Sequence, residues 1–181
     1  MRTIALVTLL AACPAIATPQ QSSSQSRAQQ LAAGFTKHKQ VVAEKRGVRK
    51  EKYKDVRTEP IVKQDITAYS GVYEVPDWGD VIDLRIGSDG RIQANGHDSD
   101  QPSRTFVLEN AKIAGAVLTA IKVYPDGATE RFEGVFMTRT ERTSPSDPGI
   151  TTSGLGVVLA TPREVDGNTY EKLFYQLKRD P

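Results

Sequence analysis

From Ile66 to Lys178 apolar and polar residues alternate with a period of two, the mark of β-strands with one buried face. Tyr69, Tyr73 and Val75 fall on one side of a first strand. After a Pro76-Asp77-Trp78-Gly79 turn, Ile82, Leu84 and Ile86 face one way and Asp83 and Arg85 the other. Ser88-Asp89-Gly90 predicts a three-residue turn that sets Ile86 opposite Ile92 and Leu84 opposite Ala94. A loop over 97–103 leads to two runs, 104–108 and 112–115. The best-patterned stretch runs from Val117 to Met137 and predicts a long hairpin. Pro125 pre-sets φ at its tip, Asp126 suits the second turn position, and Gly127 takes the left-handed conformation that follows. This loop pairs Tyr124 with Ala128, Lys122 with Glu130, Ala120 with Phe132, Leu118 with Gly134 and Ala116 with Phe136. Large side chains then meet small ones, and the charged pair has opposite signs. The apolar run at 117–123 predicts a central strand, while Thr129, Arg131 and Glu133 predict a wet face on its partner. A loop over 143–153 holds two prolines, and 155–160 reads as a buried strand. In 169–178, Leu173, Tyr175 and Leu177 alternate, which favours a strand over a short helix. About eight short strands with turn signals between them predict an all-β domain over 66–181, an antiparallel barrel or sandwich.

Upstream the pattern changes. Leu31, Phe35, Val42, Tyr53 and Val56 form a narrow stripe at helical period, with His38 and Arg49 beside it. That predicts a basic helical arm over 31–57, stopped by Pro60 and weakened at Gly34 and Gly47. The segment 18–30 is polar and low in complexity, and predicts a disordered tether. Residues 1–17 read as an export signal: Arg2, then an apolar run from Ile4 to Ala12 too short to span a bilayer. Two endings compete. Ala15-Ile16-Ala17 fits a small-residue cleavage site; Leu10-Ala11-Ala12-Cys13 fits a lipobox, with Cys13 as the lipid attachment site. The expected location is outside the cytoplasm: periplasmic or anchored in the outer membrane as a lipoprotein, otherwise secreted. Cys13 is the only cysteine, so one chain can form no internal disulfide, and the fold must stand on its core.

Charge sharpens this division. Residues 27–57 carry ten Lys/Arg against three Asp/Glu, a net of +7, whereas 58–181 carry thirteen against nineteen, a net of −6. A basic arm is joined to an acidic domain. Such an arm can lie on its own domain, or meet anionic lipid headgroups, another polyanion, or an acidic envelope protein. Export argues against nucleic acid.

The stretch Tyr69-Ser70-Gly71-Val72-Tyr73-Glu74, followed by Leu84-Arg85-Ile86 and Asp89-Gly90-Arg91-Ile92, resembles the opening of lipocalin-like β-barrel modules of bacterial exported proteins. The resemblance covers some 25 residues and implies a small barrel, often with an apolar ligand.

Catalytic chemistry is thinly supplied. The two imidazoles are His38, in the arm, and His97, in a loop, and no Gly-x-Ser-x-Gly elbow is present. The usual zinc site needs several Cys or His ligands. Asn95, Asp98 and Asp100 offer oxygens for calcium but lack the spacing of an EF-hand, and Asn, Asp and Gly are ordinary loop residues. Asp77, Asp80 and Asp83 do not make a convincing carboxylate pair, since 80 and 83 fall on opposite faces of a strand. No cofactor is expected. Tyr69, Tyr73, Trp78, Phe132 and Phe136 are the candidate ligand contacts, with ligand access at the end near Trp78; an aromatic core is the competing role. Inward Ala116, Ala120 and Gly134 leave room that bulky neighbours, Leu177 included, can also fill. The expected function is a non-enzymatic binding module for an apolar ligand or envelope partner. The alternatives are an adhesion protein whose arm binds anionic lipid or surface polymer, and an enzyme of unrecognised type.

Overall fold

A computed structural model describes residues 19–45, 48–75, 79–98, 104–159 and 172–178. Residues 1–17, expected to be an export signal and including Cys13, residues 76–78 of the expected first turn, and Asp100 lie outside these residues. Among the described residues the chain forms an α-helix, α1 (Pro19–Ala33), a short 3-10 turn (Ile66–Tyr69), and ten strands: β1 (Lys37–Lys45), β2 (Val48–Pro60), β3 (Gly71–Glu74), β4 (Val81–Ile86), β5 (Ile92–His97), β6 (Thr105–Ala114), β7 (Val117–Val123), β8 (Thr129–Arg142), β9 (Ile150–Leu159) and β10 (Lys172–Leu177). From β3 to β10 each strand pairs antiparallel with the next, and β10 returns to β3. Eight strands therefore close an up-and-down barrel, which removes both sheet edges from that part of the molecule.

The β7–β8 hairpin has the register expected from its turn. Lys122 faces Glu130, Ala120 faces Phe132 and Leu118 faces Gly134, while the Tyr124 N–H donates to the Ala128 carbonyl at 2.9 Å. Gly127 has φ +83° and no neighbour within 4 Å, so its backbone conformation alone demands glycine. The β4–β5 hairpin pairs Ile86 with Ile92 and Leu84 with Ala94, also as expected. The runs at 104–108 and 112–115 belong to one strand, β6, whose register shifts between Glu109 and Lys112. Asn110 takes φ +54° within that interruption. The expected 143–153 loop is shorter, because β9 begins at Ile150. The last segment is a strand, 172–177.

Alternation fills the barrel. Tyr73, Ile82, Leu84, Ile86, Phe106, Leu118, Phe132, Phe136 and Tyr175 are all buried inside, together with Tyr69, Ala94, Leu108 and Leu155. Leu155 occupies the room beside Gly134: a Cβ there would meet its side chain at 3.0 Å. Two expected inward residues are not inside. Leu177, at the end of β10, is exposed. Ala116 belongs to a second cluster, and so do Val117, Val135 and Met137 on the outer face of β7 and β8. The outer face of β7 is otherwise wetter than expected, with Thr119 and Ile121 exposed.

That second cluster is the seat of α1. Ala28, Leu31, Ala32 and Phe35 recur at i, i+3, i+4 and i+7, and their stripe is buried on Val117, Val135 and Met137. The tether expected at 18–30 is therefore helical from Pro19 onward. Its Ala and Gln residues favour helix, and alanine is apolar enough to bury when a sheet face lies opposite. Glycine at 156 makes room for the helix end, since a Cβ there would lie 2.4 Å from Met137 Cε and 2.8 Å from Phe35 Cε2. Arg27 is joined to Glu133 by two contacts, one at 2.9 Å, and the carboxylate raises the guanidinium's pKa.

The helical arm expected at 31–57 is corrected too. Beyond Ala33 it is strand, with β1 and β2 pairing from Lys37–Val56 to Lys45–Val48. The base of β2, from Asp55 to Pro60, joins β8 from Arg142 to Met137. It continues along the edge that β7 leaves at Val135. A helix stripe and a strand pair compete for the same sparse apolar residues, and the open edge of β8 decides for the strand.

Candidate functional site

The interior has two unlike ends. Near the start of β7, Tyr69 stacks on Phe136 with ring centroids 4.0 Å apart, and Tyr73 lies 6.0 Å from the same ring. The Tyr69 hydroxyl donates to the Ile61 carbonyl at 2.8 Å and accepts the Lys63 N–H at 2.7 Å. The Tyr73 hydroxyl donates to the Tyr69 carbonyl at 2.6 Å. Burial pushes both phenols upward in pKa. Four of the five candidate ligand contacts, Tyr69, Tyr73, Phe132 and Phe136, are thus packed core members. Trp78 lies outside the described residues.

The opposite end, where β3 passes to β4 and where ligand access was expected, carries charge. Lys122 has the same strand parity as Leu118 and Ala120, so it faces inward, and it is only 2% exposed. Its Nζ donates to Asp98 Oδ1 at 2.8 Å and sits 4.2 Å from the centroid of the Phe106 ring. The Tyr124 hydroxyl reaches Asp98 Oδ2 at 2.7 Å and Glu130 Oε2 at 3.2 Å. Arg104 covers the other side, with its guanidinium carbon 3.9 Å from the Tyr124 centroid. Burial, then the bond to Asp98, raises the Tyr124 pKa strongly. Two cations and two carboxylates answer one another around two aromatic rings. The cluster sets a formally neutral polar group toward this end of the barrel, with Lys122, Asp98, Tyr124 and Glu130 linked by hydrogen bonds.

The sequence pairs Lys122 with Glu130 across the hairpin, and the register keeps them opposite, but the ion pair is with Asp98. The missed signal was parity: in Leu118, Ala120, Lys122 and Tyr124, every second residue faces one way, so the lysine had to be inside. The same contacts engage Asp98 away from the calcium set proposed with Asn95 and Asp100. Among the described residues no group of three His, Cys, Asp or Glu side chains is placed to hold a metal. His97 ends β5 in register with Val81 and Thr105. Asp80 is buried and Asp83 pairs with Arg85 at 2.9 Å.

One depression of about 370 Å³ is lined by Asn95, Thr105, Val123 and Pro125 and reaches Phe106 and Tyr124 of the polar cluster. Another of about 310 Å³ lies between Ser70, Arg85, Asp89 and Gln93. Neither is lined by the aromatic candidates named above. No protein-family model, no curated protein and no solved structure matches the chain.

Proposed function

We propose that this chain is an exported bacterial envelope protein and a non-enzymatic binding module that engages its partner through its outer surface. The observation that carries this reading is the filled barrel. An eight-stranded barrel is the size at which the interior either packs solid or holds one small ligand. Here Phe106, Phe132, Phe136, Tyr69, Tyr73 and Tyr175 take the space, and the Lys122–Asp98–Tyr124 cluster lies toward one end. The up-and-down circuit supports the lipocalin-like resemblance of the 69–92 stretch in architecture. An internal apolar ligand has no such support, because the residues that would line its pocket are buried against one another. Export rests on the signal-like residues 1–17, with Cys13 or the Ala15–Ala17 site as the point of processing.

Two measurements test this. Trp78 fluorescence of the mature chain, titrated with fatty acids and other apolar probes, is expected to show no saturable change; stoichiometric uptake would overturn the surface reading. Made with its native signal in a bacterial host, the chain is expected in the envelope, and recovery of unprocessed chain from the cytoplasm would overturn export. In the same host Cys13→Ser distinguishes the two endings. Loss of membrane partition selects the lipobox, and an unlipidated N-terminus at Thr18 selects ordinary cleavage.

A further inference from the structure

Beyond the barrel's circuit, β1, β2, the end of β8 and the start of β9 pair into a four-stranded flap. Its two outer edges are unlike. One is β1, whose sequence carries Lys37, Lys39 and Lys45; lysines along an edge discourage stray strand pairing. The other is the stretch Ile150 to Ser153 of β9. On one side these residues pair with β8, from Glu141 to Thr138. On the other side the pairing with β10 ends at Gly154. There β10 joins β3 through Gln176 and Leu177, and the Lys178 N–H donates to the Val72 carbonyl at 2.7 Å. Among the described residues no strand covers 150–153 on that side. Every second residue of the stretch therefore presents an unpaired N–H and C=O. Nothing guards this edge: it has no charged residue, no proline and no bulge. Ile150, Thr151 and Thr152 are β-branched, and Ile150 is 72% exposed.

We infer that a second copy of the chain pairs with this edge, antiparallel, about a two-fold axis through Thr151. Self-pairing is tightly restricted by geometry. Directly opposed residues of an antiparallel pair share a face, so the axis must pass through a residue and not between two. An axis through Thr152 would set Ile150 against Gly154, whose outer side β10 already occupies. An axis through Ile150 would bring in Pro148, which has no N–H, and Gly149, which turns away at φ +85°. An axis through Thr151 stays within the free stretch. It sets Thr151 opposite the same residue of the other copy and Ile150 opposite Thr152, so β-branched side chains meet throughout. Charge fits the same axis. Glu141 stands beside Ile150 and Arg139 beside Thr152. The two-fold extends each row as Glu141, Ile150, Thr152, Arg139 across the two copies, with opposite charges at its ends. The two flaps then form one continuous sheet, and the unguarded edge of each disappears.

The test uses the chain from Thr18 onward, which carries every described residue and, since Cys13 is the only cysteine, no thiol. Opposed residues on the axis have Cα atoms about 4.5–5.5 Å apart, within the reach of a disulfide. Under mild oxidation Thr151→Cys is therefore expected to link two copies. In Thr152→Cys the two thiols would be displaced by two residues along the strands, about 8 Å between Cα atoms, and are expected not to link. Asp126→Cys, at the exposed hairpin tip, measures chance collision. Sedimentation of the parent is expected to show a reversible dimer that grows with concentration. Thr151→Lys sets two ammonium groups against each other on the axis and is expected to weaken that dimer about tenfold or more. Thr129→Lys adds the same charge at an exposed position elsewhere and is expected to stay within about threefold of the parent. Matching urea midpoints establish that both lysine variants fold. A parent that stays monomeric at the highest concentration overturns the inference and leaves the edge to a strand of some other protein. Linking of Thr151→Cys no faster than of Asp126→Cys overturns it as well. So does equal linking of Thr151→Cys and Thr152→Cys, or an equal loss in the two lysine variants. The pairing lies beyond the surface-binding reading above, which fails separately, on saturable uptake of an apolar probe.

Discussion

One edge of β8 receives two hairpin partners in succession: β7 opposite 129–135 and β2 opposite 137–142. Along the first stretch β8 turns Phe132 into the buried interior. Along the second it supports a ribbon, β1–β2, that leaves the barrel's circuit. The two hairpins use the same backbone pairing for different ends. β7–β8 is held by what its inner face buries. β1–β2 joins β8 at its base, where Val56 is buried, and its register sets one like-charge pair, Lys39 opposite Lys54. Burial fixes register because a one-residue slip would turn a whole apolar set outward.

The comparison predicts a steep gradient of mutational cost between the hairpins. Phe136→Ala removes the ring stacked on Tyr69 and opens a cavity in the barrel, and should cost about 3–5 kcal/mol in urea unfolding. Tyr53→Ala, at an exposed position of β2, should cost less than about 1 kcal/mol. Similar midpoints for the two variants would break the distinction between a hairpin held by its core and one held by its root.

A second prediction concerns charge inside and outside. Lys122 is buried, so Asp98→Ala strands a cation and should cost about 3 kcal/mol. Lys122→Met leaves a carboxylate that is 23% exposed and still bonded to Tyr124, and should cost only about 1 kcal/mol. The order of these two midpoints is the measurement. The buried phenols also have a pH signature. Tyr69, Tyr73 and Tyr124 have folded pKa values above the ordinary phenol's. Their contribution is complete below the unfolded value, about 10, and is lost as the pH climbs past it, because only the unfolded chain then releases those protons. Urea midpoints should hold to about pH 9 and fall beyond pH 10. A rise over that interval would mean the phenols are not held neutral by burial.

The same contrast explains what could be read from the sequence. Residue-level register was legible in β7–β8 and β4–β5, because one face is apolar and the turn residues, Pro125-Asp126-Gly127 and Ser88-Asp89-Gly90, fix the loop length. The filled interior was foreseeable from the same parity, but the inward lysine was not taken from it, since a charged residue near a hairpin tip is ordinarily solvated. The β1–β2 ribbon has no apolar face, and its sparse apolar residues happen to fit a helical stripe. Its real signature was in charge: Lys50, Lys52 and Lys54 alternate with Glu51, Tyr53 and Asp55. Helix α1 was hidden differently. Its apolar stripe is built from Ala28, Leu31 and Ala32, and only the outer face of β7 and β8 makes those alanines a packing surface.

At the turn of the well-determined hairpin, Gly127→Val should cost about 1–2 kcal/mol, because a β-branched residue is forced to positive φ. The open surroundings of Gly127 mean that this cost is strain alone, without a clash. Thr129→Val, two residues on and exposed, should fall within about 0.5 kcal/mol of the parent. Equal midpoints for Gly127→Val and the parent would mean that the turn does not impose the left-handed conformation.

The smallest effect is expected in the ribbon, and its sign matters more than its size. Lys39→Glu places an acid directly opposite Lys54, turning a like-charge pair into a favourable one. A cross-strand pair of opposite charge contributes about 0.2–1 kcal/mol, so the change should stabilise the hairpin rather than weaken it. Because the ribbon is rooted only at its base, it can open without the barrel, and the gain should be local. Amide hydrogen exchange resolves it: the ladder amides around 39 and 54 should exchange more slowly in the variant, while those of β4 and β7 stay unchanged. Faster exchange at those positions would show that the two lysines are not cross-strand neighbours.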